Sequence, residues 1–295
     1  VLGQVLLLAA IVFVVLRVRS LWRGGHIVVG SVDWTLIAGA LVFALVGVVG
    51  TGFIWLGILE RLGASTRRQW VAIFFQAQLA KYIPGTLWQY AGRLTLARRR
   101  NLPGRAVVRS MPVELGASLG GAGIACLLLL GYWGVPVAIT AAAACSAVGF
   151  SIPTLRKGLS RELSATAMVT PSYAAVWVVM GASFWLTARA LLPVPPSQLP
   201  FYTGAFAAAW IVGVVAVYAP GGIGVREGLL VALLHSRLGP ADALVVAAAS
   251  RILLTLTDVV VAGAAFLVLR RDHPSISEGP EERPRALDPQ KSIMS

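Results

Sequence analysis

The chain has 295 residues, 57% of them hydrophobic and 13% charged, with a formal net charge of +13 and a mean hydropathy of +0.80. Soluble domains carry about 25% charged residues, so this composition excludes an ordinary soluble enzyme or binding module. The basic excess gathers at the ends of apolar runs, as positive-inside topology and anionic headgroups require, which argues against nucleic-acid binding.

The first apolar block, Val1–Leu16, has no basic stretch ahead of it and no small-residue cleavage site, so it reads as a membrane helix rather than a removable signal peptide. Further blocks follow at Trp34–Leu59, Val107–Trp133, Val135–Phe150, Met168–Leu192, Phe201–Ala219 and Ala243–Leu269. A helix needs ~20 residues to cross the hydrocarbon core, and barrel strands would alternate over ~10. The expected fold is therefore all-α: a polytopic integral membrane helical bundle, one transmembrane domain over 1–271. Two broken or re-entrant segments and an internal pseudo-repeat (halves at 1–133 and 135–271) complete that expectation. Trp22, Trp34, Tyr132 and Trp133 lie near block ends as interfacial anchors, and Cys126 and Cys145 read as buried free thiols.

Four basic clusters set the expected topology: Arg17, Arg19 and Arg23; Arg98, Arg99, Arg100, Arg105 and Arg109; Arg156, Lys157 and Arg161; Arg270 and Arg271. With these in the cytoplasm, the uncharged loop Pro193–Gln198 falls outside. So do Arg61, Arg67 and Arg68, an exception to the rule. Residues 272–295 are polar and rich in Pro, Glu and Ser, so a disordered cytoplasmic tail is expected there.

Two stretches interrupt this pattern. "AKYIPGTLWQYAGR" (Ala80–Arg93) and "VYAPGGIGVREG" (Val217–Gly228) share Tyr-x-Pro-Gly, with Tyr82, Pro84 and Gly85 in the first and Tyr218, Pro220 and Gly221 in the second. Either alone could be a kink or a surface loop, and chance is an alternative for so short a match. Interrupted apolar segments at matching places in two halves are nevertheless the best sequence pointer to a transporter-type site. Proline and glycine free backbone groups at membrane depth, which is tolerated only where the backbone is buried in protein or lines a watery cavity. The amides of Gly221, Gly222 and Gly224, opening the next helix, would suit an anion such as phosphate.

Charged residues share faces near both breaks. Thr86, Gln89, Tyr90 and Arg93 recur at helical spacing, as do Ser110, Glu114 and Ser118, and Arg251, Thr255 and Asp258. Charges at mid-membrane cost ~2.5–3.5 kcal/mol each even on lenient scales, so they must pair or face water. Ion pairs of Arg226 or Arg251 with Glu114 or Asp258 are one outcome, and a polar cavity for a charged lipid headgroup is another. In "ELGASLGGAG", Gly116, Gly120 and Gly123 suit close helix contact.

On these residues the chain resembles the transmembrane domain of lysylphosphatidylglycerol synthases (the multiple peptide resistance factor family) and related flippase-like membrane proteins. "KYIPGTLWQYAGR" with Glu114 is similar to that family's first motif, and "PGGIGVREG" with Arg251 to its second, the likeness running from about Trp34 to Leu269. The resemblance implies a helical domain with re-entrant segments, in a bacterial plasma membrane, that moves lipids between leaflets. It implies no lysyl transfer here, because only a polar tail follows Arg271. A phospholipid or a polyprenyl-phosphate-linked glycolipid fits as cargo.

The leading expectation is thus a lipid flippase or transporter. Arg93, Arg226 and Arg251, with Tyr82, Tyr218 and the glycine amides, would bind an anionic headgroup; Glu114, Glu227 and Asp258 would balance them or carry a coupling proton. No Walker A sequence is present, and no cofactor is expected. A glycolipid-modifying enzyme is disfavoured, since His26, His235 and His273 are scattered without metal-ligand spacing and no paired-carboxylate motif stands in a long polar loop. An accessory protein or scaffold for a cell-envelope glycosyltransferase is the alternative. The oligomeric state is not legible.

Overall fold

The computed structural model describes residues 32–64, 68–82, 88–100, 102–127, 159–216 and 224–271. Among them it is all-helical, with eight α-helices. The blocks at 1–16 and 135–150, the tail at 272–295, and Trp22, Tyr132, Trp133 and Cys145 lie outside the described residues.

Helix α1 (Trp34–Arg61) starts where the Asp33 carboxylate accepts the N–H groups of Thr35 and Leu36. It ends at Gly63, whose φ of +86° lets the amides of Gly63 and Ala64 fold back onto the carbonyls of Glu60 and Leu59. Two short helices follow, α2 (Arg68–Gln78) with a 3₁₀ turn at Leu79–Tyr82, and α3 (Trp88–Arg99). Then come α4 (Gly104–Cys126), α5 (Leu159–Leu191), α6 (Leu199–Val215), α7 (Val225–Leu238) and α8 (Pro240–Arg271). Four stretches are long and apolar enough to cross a membrane: Trp34–Arg61, Arg161–Leu191, Pro196–Val215 and Pro240–Leu267.

Hydrogen bonds fix which helix ends lie together. The Asp33 amide donates to the Ala190 carbonyl at 3.0 Å, and Arg161 Nε donates to the Arg61 carbonyl at 3.1 Å, so α1 and α5 run antiparallel along their length. Arg109 Nε donates to Glu162 Oε1 at 2.8 Å, which brings the start of α4 to the same end. Arg61 therefore shares the arginine-rich end with Arg109 and Arg161, and its expected placement on the opposite side is corrected. The reason is the chain between α1 and α4, which makes a hairpin instead of a crossing. Gly92 of α3 faces Ala77 and Ala80 of the outgoing arm, while Trp70, Ala97 and Val107 share one core cluster at the arginine-rich end.

A second hairpin comes from the other end. The guanidinium of Arg237, late in α7, lies 4.0 Å from the ring centre of Phe201, early in α6. Leu230 and Leu234 of α7 join the same cluster as Ala205 and Ala209 of α6. At ~1.5 Å per residue, α2 and α3 reach about 16–18 Å and α6 and α7 about 21–25 Å. Helices α2, α3 and α7 are thus shorter than the ~30 Å hydrocarbon core, whereas α6 belongs to the stretch Pro196–Val215 that is long enough to cross it.

Helices α4 and α8 touch both hairpins. Val261 and Ala265 of α8 pack in the cluster of Trp70 and Phe74, whereas Ala243 and Val246 pack with Leu230 and Leu234. On α4, Val107 packs with Ala97, and the Cys126 thiol lies 3.8 Å from the Gly204 carbonyl. Small residues permit the closest crossings. A Cβ on Gly121 would sit 2.6 Å from the Ala174 amide nitrogen, and one on Gly181 2.5 Å from Thr203 Cα. Gly116 and Gly120 meet the methyls of Thr166 and Thr170, but Gly123 faces open space, so the tight contact lies one step round the helix from the face the glycine spacing suggested.

Candidate functional site: a charged cavity between two helical hairpins

A cavity of about 370 Å³ lies where the two hairpins approach each other. Gln78 and Lys81 enter it from the end of α2 and the 3₁₀ turn, and Gln89 and Tyr90 from the start of α3. The second hairpin supplies Gly213 and Val214 from the end of α6 and Arg226 from the start of α7. The middles of α4 and α8 contribute Glu114 and Ser118, and Arg251 and Asp258. Part of the wall is apolar and aromatic: Trp177 and Met180 on α5, Phe206 and Trp210 on α6. Trp177 and Trp210 lie with ring centres 4.5 Å apart.

Among the described lining residues, three cations (Lys81, Arg226, Arg251) face two carboxylates (Glu114, Asp258), so the wall carries a formal excess of one positive charge. Lys81 Nζ lies 2.7 Å from Asp258 Oδ2, joining the first hairpin's tip to α8. The Arg226 guanidinium carbon sits 5.3 Å from the Phe206 ring centre, in cation–π range. Arg251 Nη1 is 3.8 Å from Glu227 Oε1.

Arg93 stands apart. It is fully buried, does not line the cavity, and forms a two-pronged pair with Glu114, Nη1 to Oε2 and Nη2 to Oε1, the latter at 3.1 Å. Its guanidinium carbon lies 4.1 Å from the Phe74 ring centre, 5.2 Å from Trp55 and 5.3 Å from Tyr90. Trp55 in turn donates its indole N–H to Ser110 at 2.9 Å. The three polar residues sharing a face of α4 thus diverge in use. Ser110 holds Trp55 of α1, Glu114 anchors Arg93 of the first hairpin while also lining the cavity, and Ser118 opens onto the cavity.

Four of the charged residues singled out by sequence meet in the cavity, Arg226, Arg251, Glu114 and Asp258, together with Gln89, Tyr90 and Ser118 from the polar faces. Arg93 and Glu227 lie behind it, each paired with a lining residue. Gly224 adopts φ +84° as the cap of α7, and its amide donates to Glu227 Oε2 at 2.7 Å. That donor is therefore met by the protein's own carboxylate. Tyr82 closes the 3₁₀ turn; its side chain lies outside the described residues, as do Tyr218, Gly221, Gly222, Pro84, Gly85 and Pro220. Among the described residues no three His, Cys, Asp or Glu side chains come together as a metal site.

Sequence reasoning missed Lys81, Gln78 and the Trp177–Trp210 wall. Lys81 had a signal, being a lone cation between an apolar helix and the first break. The tryptophans had none, because within an apolar block a cavity-facing ring reads like any core ring.

No protein-family model matches the chain, and no curated protein matches it.

Proposed function

We propose that this protein is a lipid flippase or lipid transporter whose central cavity receives the anionic, phosphate-bearing headgroup of a membrane lipid. The observation that carries the reading is the cavity's position and charge. It lies between the arms of two hairpins that start from opposite ends of the bundle, and its described wall holds Lys81, Arg226 and Arg251 against Glu114 and Asp258. A charged site at bilayer depth marks a functional pathway by default. The aromatic and aliphatic wall suits the start of an acyl or prenyl chain.

In this reading the hairpins α2–α3 and α6–α7 are re-entrant, and the chain is an inverted repeat. Each half comprises a long helix, a helical hairpin and a second long helix: α1, α2–α3, α4, then α5, α6–α7, α8. The second runs opposite to the first, since α1 and α5 are antiparallel. Transporters built this way bind substrate near the midplane, at the broken helices. The resemblance carried by "KYIPGTLWQYAGR" and "PGGIGVREG" points the same way. A phospholipid or a polyprenyl-phosphate-linked glycolipid fits the site equally.

The accessory-scaffold reading has one observation in its favour: the Arg93–Glu114 pair is packed among aromatic rings and serves the fold. Native mass spectrometry of gently extracted protein separates the two readings. A phosphate-bearing lipid retained by the wild type and lost from a folded Arg226→Gln variant supports the headgroup site. Identical lipids on both proteins move the scaffold reading ahead.

A further inference from the structure

Three pairs of opposite charge surround the cavity: Lys81–Asp258, Arg93–Glu114 and Arg251–Glu227. In two of them a single member reaches the wall, since Arg93 and Glu227 lie behind it. In Lys81–Asp258 both members line the cavity. We infer that Lys81 is a direct ligand of the incoming anionic group, and that Asp258 is its resting stand-in, displaced from the lysine when the anion arrives. The inference rests on the headgroup reading and says which pair in that site exchanges.

The chemistry separates this pair from the others. A carboxylate and a phosphate oxygen make the same charge-assisted contact with an ammonium. The lysine side chain is 32% exposed and the aspartate side chain 3% exposed, so the cation, not the carboxylate, is the member a ligand can reach. An ammonium on a four-carbon stem turns from one oxygen to another by rotation of its own side chain. Arg93 has no such freedom, being held by two hydrogen bonds and flanked by Phe74, Trp55 and Tyr90. Glu227 is tied to the Gly224 amide at 2.7 Å, so exchange there would undo the start of α7. Exchange at Lys81 has a mechanical consequence as well. The pair links the 3₁₀ turn at the first hairpin's tip to α8, and an anion taking the lysine releases that link.

The test is a tryptophan-fluorescence titration of the purified full chain with decyl phosphate, with decanol as the uncharged control; Trp177 and Trp210 report from the wall. Wild type binds decyl phosphate and not decanol. Asp258→Asn removes the competing carboxylate and binds about tenfold tighter, the scale of one hydrogen bond to a charged group. Lys81→Gln binds about tenfold or more weakly, and Lys81→Arg restores binding. Wild-type binding with Asp258→Asn unchanged or weaker overturns the exchange and leaves the headgroup site standing. Failure of wild type to bind overturns both. Inorganic phosphate binding as tightly as decyl phosphate would make the ligand a free anion, keeping the exchange and removing the lipid. Should Asp258→Asn alone not fold, the neutral pair Lys81→Gln/Asp258→Asn serves instead. It is expected to bind as poorly as Lys81→Gln, and wild-type affinity in that double variant refutes Lys81 as the ligand.

Discussion

A guanidinium packed among three aromatic rings is costly to bury unless a carboxylate neutralises it, and for Arg93 that carboxylate is Glu114. Glu114→Gln should therefore destabilise the protein by about 3–5 kcal/mol, the cost of stranding one buried charge. Arg93→Gln/Glu114→Gln should recover much of that loss, because no unpaired charge remains. Thermal unfolding in detergent followed by size exclusion reads both, and a Glu114→Gln variant as stable as wild type would refute the assignment. At this scale the sequence was informative about which charges are confined and poor about their partners. Arg93, Glu114, Arg226, Arg251 and Asp258 stand out because charge is scarce in apolar surroundings. Their pairing depends on how the hairpins lie against α4 and α8, which spacing along one helix does not contain. Lys81 escaped notice for the same reason, since its partner is in the other half of the chain.

Between elements, the tight crossings rest on glycines whose missing Cβ has backbone directly opposite. Gly181→Ala would put a carbon 2.5 Å from Thr203 Cα, forcing α5 and α6 apart. A destabilisation of about 1–3 kcal/mol, typical of overpacking, is expected, whereas Gly123→Ala faces open space and should be nearly neutral. Equal melting temperatures for the two variants would contradict this packing. The long helices were legible because uninterrupted apolar runs near 20 residues have few other uses. Helix α2 was not, since "RQWVAIFFQAQ" has 11 residues and falls well short of a span. Nor did the spacing of Gly116, Gly120 and Gly123 reveal that Gly121 makes the closest contact. That depends on the azimuth at which α5 crosses α4.

For the molecule as a whole, the order of helices places Arg61, Arg99 and Arg161 at one end of the bundle and Ser197 and Ser236 at the other. Single cysteines at Arg61 and Arg99, in a background with Cys126 and Cys145 changed to serine, should react with an impermeant thiol reagent from one side of sealed vesicles. Cysteines at Ser197 and Ser236 should react only from the other side. Labelling of Arg61→Cys and Arg99→Cys from opposite sides would break the first hairpin, and the inverted repeat with it. The charge pairs of the two proposed halves differ in a way that residue matching conceals. In the first, a cation on the short helix (Arg93) pairs with a carboxylate on the long helix (Glu114); in the second, a carboxylate on the short helix (Glu227) faces a cation on the long one (Arg251). Under the proposed inverted repeat the roles recur while the signs invert, which leaves the shared Tyr-x-Pro-Gly as the clearest mark of such a relation in sequence.

The central claim, that the cavity carries a lipid headgroup between leaflets, is tested most directly by reconstitution. The phosphate-bearing lipid retained by the wild type would be supplied as a fluorescent analogue in one leaflet of proteoliposomes, and its loss of sidedness followed over time. The wild type should move it faster than protein-free liposomes do, and folded Arg226→Gln should not. Movement by the wild type at the protein-free rate, or by both proteins equally, would contradict the account.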